Sequence, residues 1–509
     1  MDRRTQPTLL LHEQDNVAVA LWGLEAGAHV GIGDLVCQEP IPAGHKVAIQ
    51  KIGAGEPVRK YGQIIGSASA DVPPGYHVHT HNVVMGRFAR DYAVGEGLRN
   101  TASVEEGEEA TFQGIVRGDG RVGTRNYIGI LSTVNCSASV ARFMGDALGP
   151  TDLEPYPNVD GIVALGHGTG CSMVPDGEGF VLLQRTLAGY ARHPNFAGVI
   201  LVGLGCEVNQ VGSLLENMDL ATGSMLRAIN VQEAGGTRQT VAQGAAAVRE
   251  MLSVANQLQR ETVSARHLMV GLECGGSDAY SGISANPALG EAVDILVRNG
   301  GTAILSETPE IYGAEHLLTR RAGSREVAAR LIDRVRWWEQ YTKRLGGEIN
   351  NNPTPGNRAG GLTTILEKSL GAAAKGGTTN LVSVYDYAEP VTEKGLVFMD
   401  TPGYDAASVT GMIAGGANLV CFTTGRGSVS GFKPVPTLKL ATHSEMYRRL
   451  EGDMDVNCGL VLDGKAGLAE MGQSLFQLIL ETASGRKTKS EALGFGDNEF
   501  VPWQIGPVL

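Results

Sequence analysis

Four apolar runs of strand length, each ending on a cysteine, dominate the middle of the chain. YIGILSTVNC, GIVALGHGTGC, GVILVGLGC and HLMVGLEC place Cys136, Cys171, Cys206 and Cys274 at separations of 35, 35 and 68 residues. A near-continuous apolar run describes a strand buried on both faces. The intervening stretches, such as GFVLLQRTLAGYARH and TVAQGAAAVREMLSVANQLQRE, are long enough for a helix. Strands alternating with helices fold as a parallel sheet covered on both faces. Ligands of such sheets bind outside the carboxyl ends of the strands. The spacing therefore predicts four thiols along one rim, suited to a soft metal site, with His167, Glu207 and Asp278 as further ligands.

The flanks differ from this centre. Residues 1–95 alternate apolar and polar positions between Gly/Pro turns, which predicts a small β-rich domain. Residues 96–111 are polar and acidic and read as a linker, followed by a central α/β domain over 112–349. The last segment, 350–509, opens on NNPTPGNRAGG. Its candidate strands LVSVYDYAE, KGLVFMD and ANLVCFTTG and its helical LAEMGQSLFQLILETASG predict a second α/β unit. The expected fold class is α/β, a β-rich domain followed by two α/β units with largely parallel sheets.

Charge narrows the function classes. Asp and Glu number 54 against 42 Lys and Arg, a net charge of -12, which disfavours nucleic acid and anionic membranes as partners. No apolar run is long enough for a membrane span, and no apolar leader precedes Glu13 and Asp15. A cytoplasmic protein is expected, with its seven cysteines reduced. Walker, dinucleotide-binding and GxSxG motifs are absent, which disfavours ATP, NAD and serine-hydrolase chemistry.

Two further patterns carry chemistry. In YHVHTHN, His77, His79 and His81 alternate, so an extended strand would set three imidazoles on one face, followed by Asn82. Imidazole serves as a metal ligand or as an acid/base near neutral pH. The loops GDGRVGTRN, ECGGSDAYSGISANP, PTPGNRAGG, DTPGYD and FTTGRGS combine Gly with hydroxyl, amide and single charged side chains. Such loops present N–H groups to carboxylates or polyols. Arg125 and Arg426 are candidate carboxylate clamps, with Asn126, Ser277, Asp278 and Asn357 beside them.

These segments, in this order, resemble the altronate/galactarate dehydratase family over nearly the whole chain, and the N-terminal domain looks like a SAF domain. The resemblance implies a hydro-lyase that removes water from an aldonate or aldarate to give a 2-keto-3-deoxy acid. It implies Fe(II) as cofactor, with Mn(II) or a labile iron–sulfur cluster as alternatives, and a homo-oligomer, a dimer. The histidine triplet places the chain nearer the altronate branch, although KSLG is followed by Ala372, Ala373, Ala374 and Lys375 in place of that branch's cysteine-containing run. A galactarate dehydratase or a sulfolactate sulfo-lyase shares the framework, and the non-enzymatic alternative is a metal-binding or sensing protein. Eliminating water from a 2,3-dihydroxy acid calls for a Lewis acid and a positioned base. His77, His79, His81 and His167 are the expected acid/base groups, with Lys368 and Lys375 for proton abstraction or carboxylate binding.

Overall fold

The computed structural model describes residues 6–86, 91–105 and 107–506. Residues 1–5 and 87–90 of the expected first domain, residue 106 of the linker and 507–509 lie outside the described residues. The chain opens with seven short strands, β1 (Thr8–Leu9), β2 (Val17–Ala20), β3 (Lys46–Ala48), β4 (Pro57–Lys60), β5 (Gln63–Ala68), β6 (His77–Val78) and β7 (Val83–Val84). They form two antiparallel sheets, ordered β1-β2-β3-β6 and β4-β5-β7. The period-2 pattern is visible in β4, where Val58 and Lys60 point inward while Pro57 and Arg59 are half-buried. Val17, Ile52, Val58, Ile65 and Val78 form one core with Leu370 and Ala373 of the distant helix Ile365–Ala373. The small domain is thus docked on the last domain through shared apolar packing.

Next come β8 (Thr111–Val116), β9 (Val122–Gly123), β10 (Tyr127–Ser132), β11 (Gly161–Leu165), β12 (Phe196–Gly203), β13 (Leu226–Asn230) and β14 (Glu261–Ser264). Strands β14-β8-β9 make a small antiparallel sheet, so GDGRVGTRN is largely a hairpin turn and its return strand. Strands β11-β10-β12-β13 form a parallel sheet. Ile128 and Ile130 pack on one face with the helices Asn135–Asp146 and Thr237–Ala255. Leu131, Val163 and Leu201 face the helix Glu178–Ala191 on the other. Covering both faces explains the uninterrupted apolar runs.

The third unit comprises β15 (Met269–Cys274), β16 (Thr302–Leu305), β17 (Leu381–Tyr385), β18 (Gly395–Met399), β19 (Leu419–Thr424), β20 (Thr437–Ala441) and β21 (Val456–Asn457). All seven run parallel in the order β17-β18-β16-β15-β19-β20-β21. The domain break expected at 349/350 therefore falls inside one sheet and is corrected: β15 and β16 belong with the C-terminal strands. The division lies after β14, and the helix Arg325–Arg344 is a crossover within the last unit. From β15 the chain turns to β16 on one side, and from β19 to β20 on the other. Such a switch point opens a crevice between the two strand ends. No helix among the described residues is long and apolar enough to cross a membrane.

Candidate active site

Strand β15 ends on Glu273 and Cys274, and β16 runs into Glu307 and the short turn Thr308–Ile311, which carries Glu310. Glu307 holds the left-handed conformation at φ +66°, rare for a residue with a side chain. Its N–H donates to Thr401 Oγ1 at 2.8 Å. The Cys274 thiol lies 3.6 Å from Glu307 Oε2 and 3.5 Å from Glu310 Oε2. Lys375 Nζ donates to Glu307 Oε2 at 3.1 Å, and Lys368 Nζ donates to Glu310 Oε1 at 2.6 Å and Asn352 Oδ1 at 2.8 Å. Glu273 Oε2 accepts from Ser408 Oγ at 2.8 Å. Glu273, Glu307 and Asp405 bring ligand oxygens within 4.8 Å of one another, and so do the ligand atoms of Cys274, Glu307 and Glu310.

Four carboxylates thus face two ammonium groups, all of them buried except the half-buried Asp405. Burial, and then the neighbouring Glu307, raises the pKa of Glu273 and Glu310 and pushes Asp405 up to about 7. Burial likewise drives the Cys274 thiol well above its ordinary value. Burial opposes charge on the lysines, but the acids and the thiol around them outweigh it, so Lys368 and Lys375 are held protonated. Their expected role as bases is corrected accordingly. Glu273 Oε1 and Glu307 Oε1 are buried without a hydrogen-bond partner. Uncompensated carboxylate oxygens beside a thiol match the donor preference of a divalent first-row ion.

The imidazoles form a second cluster. Strand β6 ends at Val78, and the chain turns through 79–82, so the expected straight row is replaced by a curled one. Asn82 shapes that turn: its Oδ1 accepts from His79 N at 2.9 Å and its Nδ2 donates to His77 O at 2.8 Å. The expected substrate contact at Asn82 is thus corrected to a structural one. The rings still gather, with His77 stacked on His79 at 5.4 Å between centroids and His81 5.2 Å from His77. His45, which sequence reasoning missed, completes the group from the start of β3. Its Nε2 donates to the Ala359 carbonyl at 3.2 Å, so its Nδ1 accepts from His77 Nε2 at 2.9 Å. Burial and neighbouring positive groups lower both His77 and His79 to about 3, so the rings stay neutral. His79 Nδ1 is buried and unpartnered.

A buried Lys–Glu–Lys triad joins the two clusters. Glu367 accepts from Lys46 Nζ at 2.9 Å and Lys60 Nζ at 2.9 Å, all three side chains having no exposure. Glu367 and Lys368 are successive residues of the helix Ile365–Ala373, one serving the small domain and the other the acid cluster. A small cavity bounded by Tyr61, Ser277, Asp278, Glu367 and Lys368 lies between them.

At the crevice between β15 and β19, Asp278 accepts from Ser281 Oγ and Thr442 Oγ1, each at 3.0 Å, with His443 Nε2 3.8 Å away. Burial, against the pull of His443, raises its pKa. Ser277 Oγ is buried without a partner. Arg426 is exposed here, its N–H donating to Gly276 O at 2.8 Å. Three expected substrate contacts, Ser277, Asp278 and Arg426, therefore meet at one place.

Other sequence candidates have structural duties. Arg125 is buried and donates to both Glu491 oxygens, at 2.6 and 2.8 Å, and to the carbonyls of Thr124, Thr482 and Arg486. No donor is left for a substrate. Asn126 accepts from Arg117 and donates to the Asn158 and Ala255 carbonyls. Asn357 caps its own helix through Thr354 and donates to Ser277 O at 2.8 Å. His167 is buried and neutral, its pKa lowered to about 4 by burial, with Nε2 donating to Ser132 O and Nδ1 accepting from Thr169 N. Glu207 accepts from Leu204 N, Gly205 N and Thr133 Oγ1, which makes it a loop brace. The single ladder of four thiols is also corrected. Cys136, Cys171 and Cys206 follow β10, β11 and β12 and are exposed, whereas Cys274 is buried at the end of β15 in the other parallel sheet.

Comparison with known proteins covers the same three units. Residues 6–86 match the altronate/galactarate dehydratase SAF domain, 114–256 the D-galactarate dehydratase/altronate hydrolase second domain, and 265–508 the D-galactarate/altronate dehydratase C-terminal domain. The chain is 36% identical to galactarate dehydratase (L-threo-forming) of Escherichia coli (strain K12) over 99% of both chains. It is 34% identical to altronate dehydratase of Bacillus subtilis (strain 168) over 95% of this chain and 96% of the relative. Similarity to the β subunit of (2R)-sulfolactate sulfo-lyase of Chromohalobacter salexigens is 35% identity over 77% of this chain and 96% of the relative. Three matched domains in order and relatives aligned end to end establish that the chain belongs to the altronate/galactarate dehydratase family of hydro-lyases.

Proposed function

We propose that the protein is a metal-dependent dehydratase that removes water from an altronate- or galactarate-like sugar acid to give a 2-keto-3-deoxy acid. The observation that carries this reading is the Glu273–Cys274–Glu307–Glu310–Asp405 cluster with its two charged lysines at the carboxyl ends of β15 and β16. Arg426, at the mouth of the crevice, binds the substrate carboxylate. Asp405, half-buried at the edge of the cluster, is the carboxylate placed to accept the C2 proton. Lys368, whose Nζ lies 2.6 Å from Glu310 Oε1, donates a proton to the departing hydroxyl oxygen. Cys274, Glu307 and Glu310 would hold Fe(II) or Mn(II), which supplies Lewis acidity toward the substrate oxygens. A second reading places the ion on His45, His77 and His79, favoured by the unpartnered His79 Nδ1.

The test is turnover of a panel of aldonates and aldarates, with sulfolactate included, by full-length protein purified anaerobically and supplied with Fe(II) or Mn(II). A 2-keto-3-deoxy product from an altronate- or galactarate-like acid is expected, lost on chelation and restored by the ion. Sulfite release from sulfolactate alone would replace the dehydratase by the sulfo-lyase. No product from any member would contradict both. Loss of bound ion in Glu310→Gln but not in His45→Asn favours the carboxylate site, and the reverse favours the imidazoles.

A further inference from the structure

A cavity of about 650 Å³ opens between the second and third units, on the side where the parallel strands begin. Its wall holds Pro194 just before β12, Met269 at the start of β15 and Asn418 just before β19. The length of β15, about 16 Å at roughly 3.3 Å per residue, separates it from Cys274 and the acid cluster. The hairpin turn of GDGRVGTRN, which that cluster leaves unused, supplies Asp119, Arg121 and Val122 to one edge. We propose that this cavity binds a small organic anion, a carboxylate or phosphate carried on an apolar body, at a site separate from the reaction.

The helix Glu178–Ala191 builds one wall. Arg185, Ala188, Gly189 and the C-cap Arg192 follow the spacing i, i+3, i+4, i+7, so they share a face, and all four line the cavity. Gly189 lets this helix meet the end of the helix Asp405–Ala414, because a Cβ there would overlap the Ala414 carbonyl. Small residues thus keep the middle of the stripe low, and a guanidinium stands at either end. Lys394 joins them from the loop before β18.

These three cations have no acidic partner. Arg185 Nη1 donates to Tyr387 O at 3.0 Å, Arg192 Nη2 to the carbonyls of Met218 and Asp219, and Lys394 Nζ to Arg266 O at 2.7 Å. Backbone carbonyls satisfy donors without neutralising charge. Asp119 is the one acid among the residues lining the cavity, and Arg121 Nε already donates to it at 2.8 Å. Desolvation and then positive neighbours hold Lys394 and the adjacent His267 below their ordinary pKa values, with no carboxylate offsetting either. Such a concentration of positive charge stands out in a chain of net charge -12.

The arrangement also orients the ligand. Both helices end at the cavity, and their last carbonyls disfavour an anion at the floor. Arg192 and Lys394 are exposed and Arg185 is half-buried, which puts the positive charge at the rim. Met218, Met269 and Val391 supply apolar wall beneath it. An apolar body therefore sits inside, with its charged group among the three cations, and guanidinium geometry suits either carboxylate or phosphate.

The experiment is isothermal titration calorimetry of the full-length protein at low ionic strength with phenyl phosphate, benzoate, benzyl alcohol and inorganic phosphate. At least one aromatic anion should bind one to one, and the tighter of the two names the charged group. Benzyl alcohol, which lacks the charge, and inorganic phosphate, which lacks the body, should each bind at least about tenfold more weakly, the loss expected for one charge-assisted contact. Arg185→Gln, Arg192→Gln and Lys394→Gln should each weaken the aromatic anion by about tenfold. Glu307→Gln should leave its affinity unchanged, so the result stands whether or not the acid cluster is where dehydration occurs. Neither aromatic anion binding to wild type would overturn the assignment. So would benzyl alcohol binding equally well, wild-type affinity in the folded triple glutamine variant, or loss of binding in Glu307→Gln.

Discussion

Replacing Glu367 by Gln removes the sole negative charge between Lys46 and Lys60 while nearly preserving shape. The wild-type carboxylate accepts from Lys46 Nζ at 3.1 and 2.9 Å, Lys60 Nζ at 2.9 Å, Thr363 N at 2.9 Å and Thr363 Oγ1 at 2.7 Å. Removing one partner of a buried ion pair costs about 3–5 kcal/mol, because the remaining charge stays desolvated. Two stranded ammonium groups would exceed that range, but Lys46 already titrates at about 8 through burial, and it can shed its proton. The expected destabilisation is therefore about 3–5 kcal/mol near neutral pH. It is local, because the triad bridges the small domain and the helix Ile365–Ala373. Calorimetry and limited proteolysis should show the small domain melting ahead of the rest. The sign with pH is also fixed. In the variant Lys46, already lowered to about 8 with the carboxylate present, should fall further, and Lys60 loses the carboxylate that raises it against burial, so the unfolded state should bind more protons and the penalty should shrink as pH rises above 8. A neutral variant, Lys46→Met with Lys60→Met and Glu367→Leu, should be more stable than Glu367→Gln alone. A Glu367→Gln protein within about 0.5 kcal/mol of wild type, the usual scatter of surface substitutions, would refute the reasoning.

Three further outcomes follow from the same geometry. His193 and His167 are buried and lowered to about 4 by desolvation, below the unfolded value of 6.5. At these two sites the unfolded chain takes up more protons between those values, so wild type should lose stability relative to a His167→Gln/His193→Gln variant as pH drops from 6.5 to 4, and a pH-independent difference between the two would contradict this. A Cβ on Gly275 would overlap Asp405 Oδ2 and the Phe422 ring, so Gly275→Ala should displace Asp405 and lower kcat by about 10²-fold in steady-state assays, with KM little changed. Arg125→Ala leaves the Glu491 carboxylate without its partner at a nearly buried site, so it should cost about 3–5 kcal/mol in calorimetry and leave KM unaltered.

Sequence patterns marked the β-rich start and the parallel strands because each has its own period, but not the break between the two α/β units, which lies after β14. Alternation marks 1–95, and apolar runs ending in Cys mark the parallel strands. They failed where sequence-distant residues meet. Cys274 shares its strand-end position with the other three thiols, yet β15 pairs with β16 and β19 in a different sheet, which no local pattern reveals. Glu307, Glu310 and Asp405 stand in unremarkable contexts and become a site only because β15, β16 and β18 are neighbours or near neighbours. His45 precedes the histidine triplet by 32 residues and reaches it through the pairing of β3 with β6. Arg125 and Asn126 looked like ligand groups because polar residues beside glycine suit both a binding loop and a buried bracket. Only burial and saturated hydrogen bonds separate the two.

Turnover by Glu307→Gln, on the sugar acid that wild type dehydrates best, bears most directly on where the reaction happens. Glu307 belongs to both carboxylate sets and sits in a strained conformation. With the fold verified by circular dichroism, the account predicts that kcat falls by about 10²–10⁴-fold, the range typical of losing a group that acts on the reacting atoms. Turnover unchanged in a folded Glu307→Gln protein would place the chemistry elsewhere.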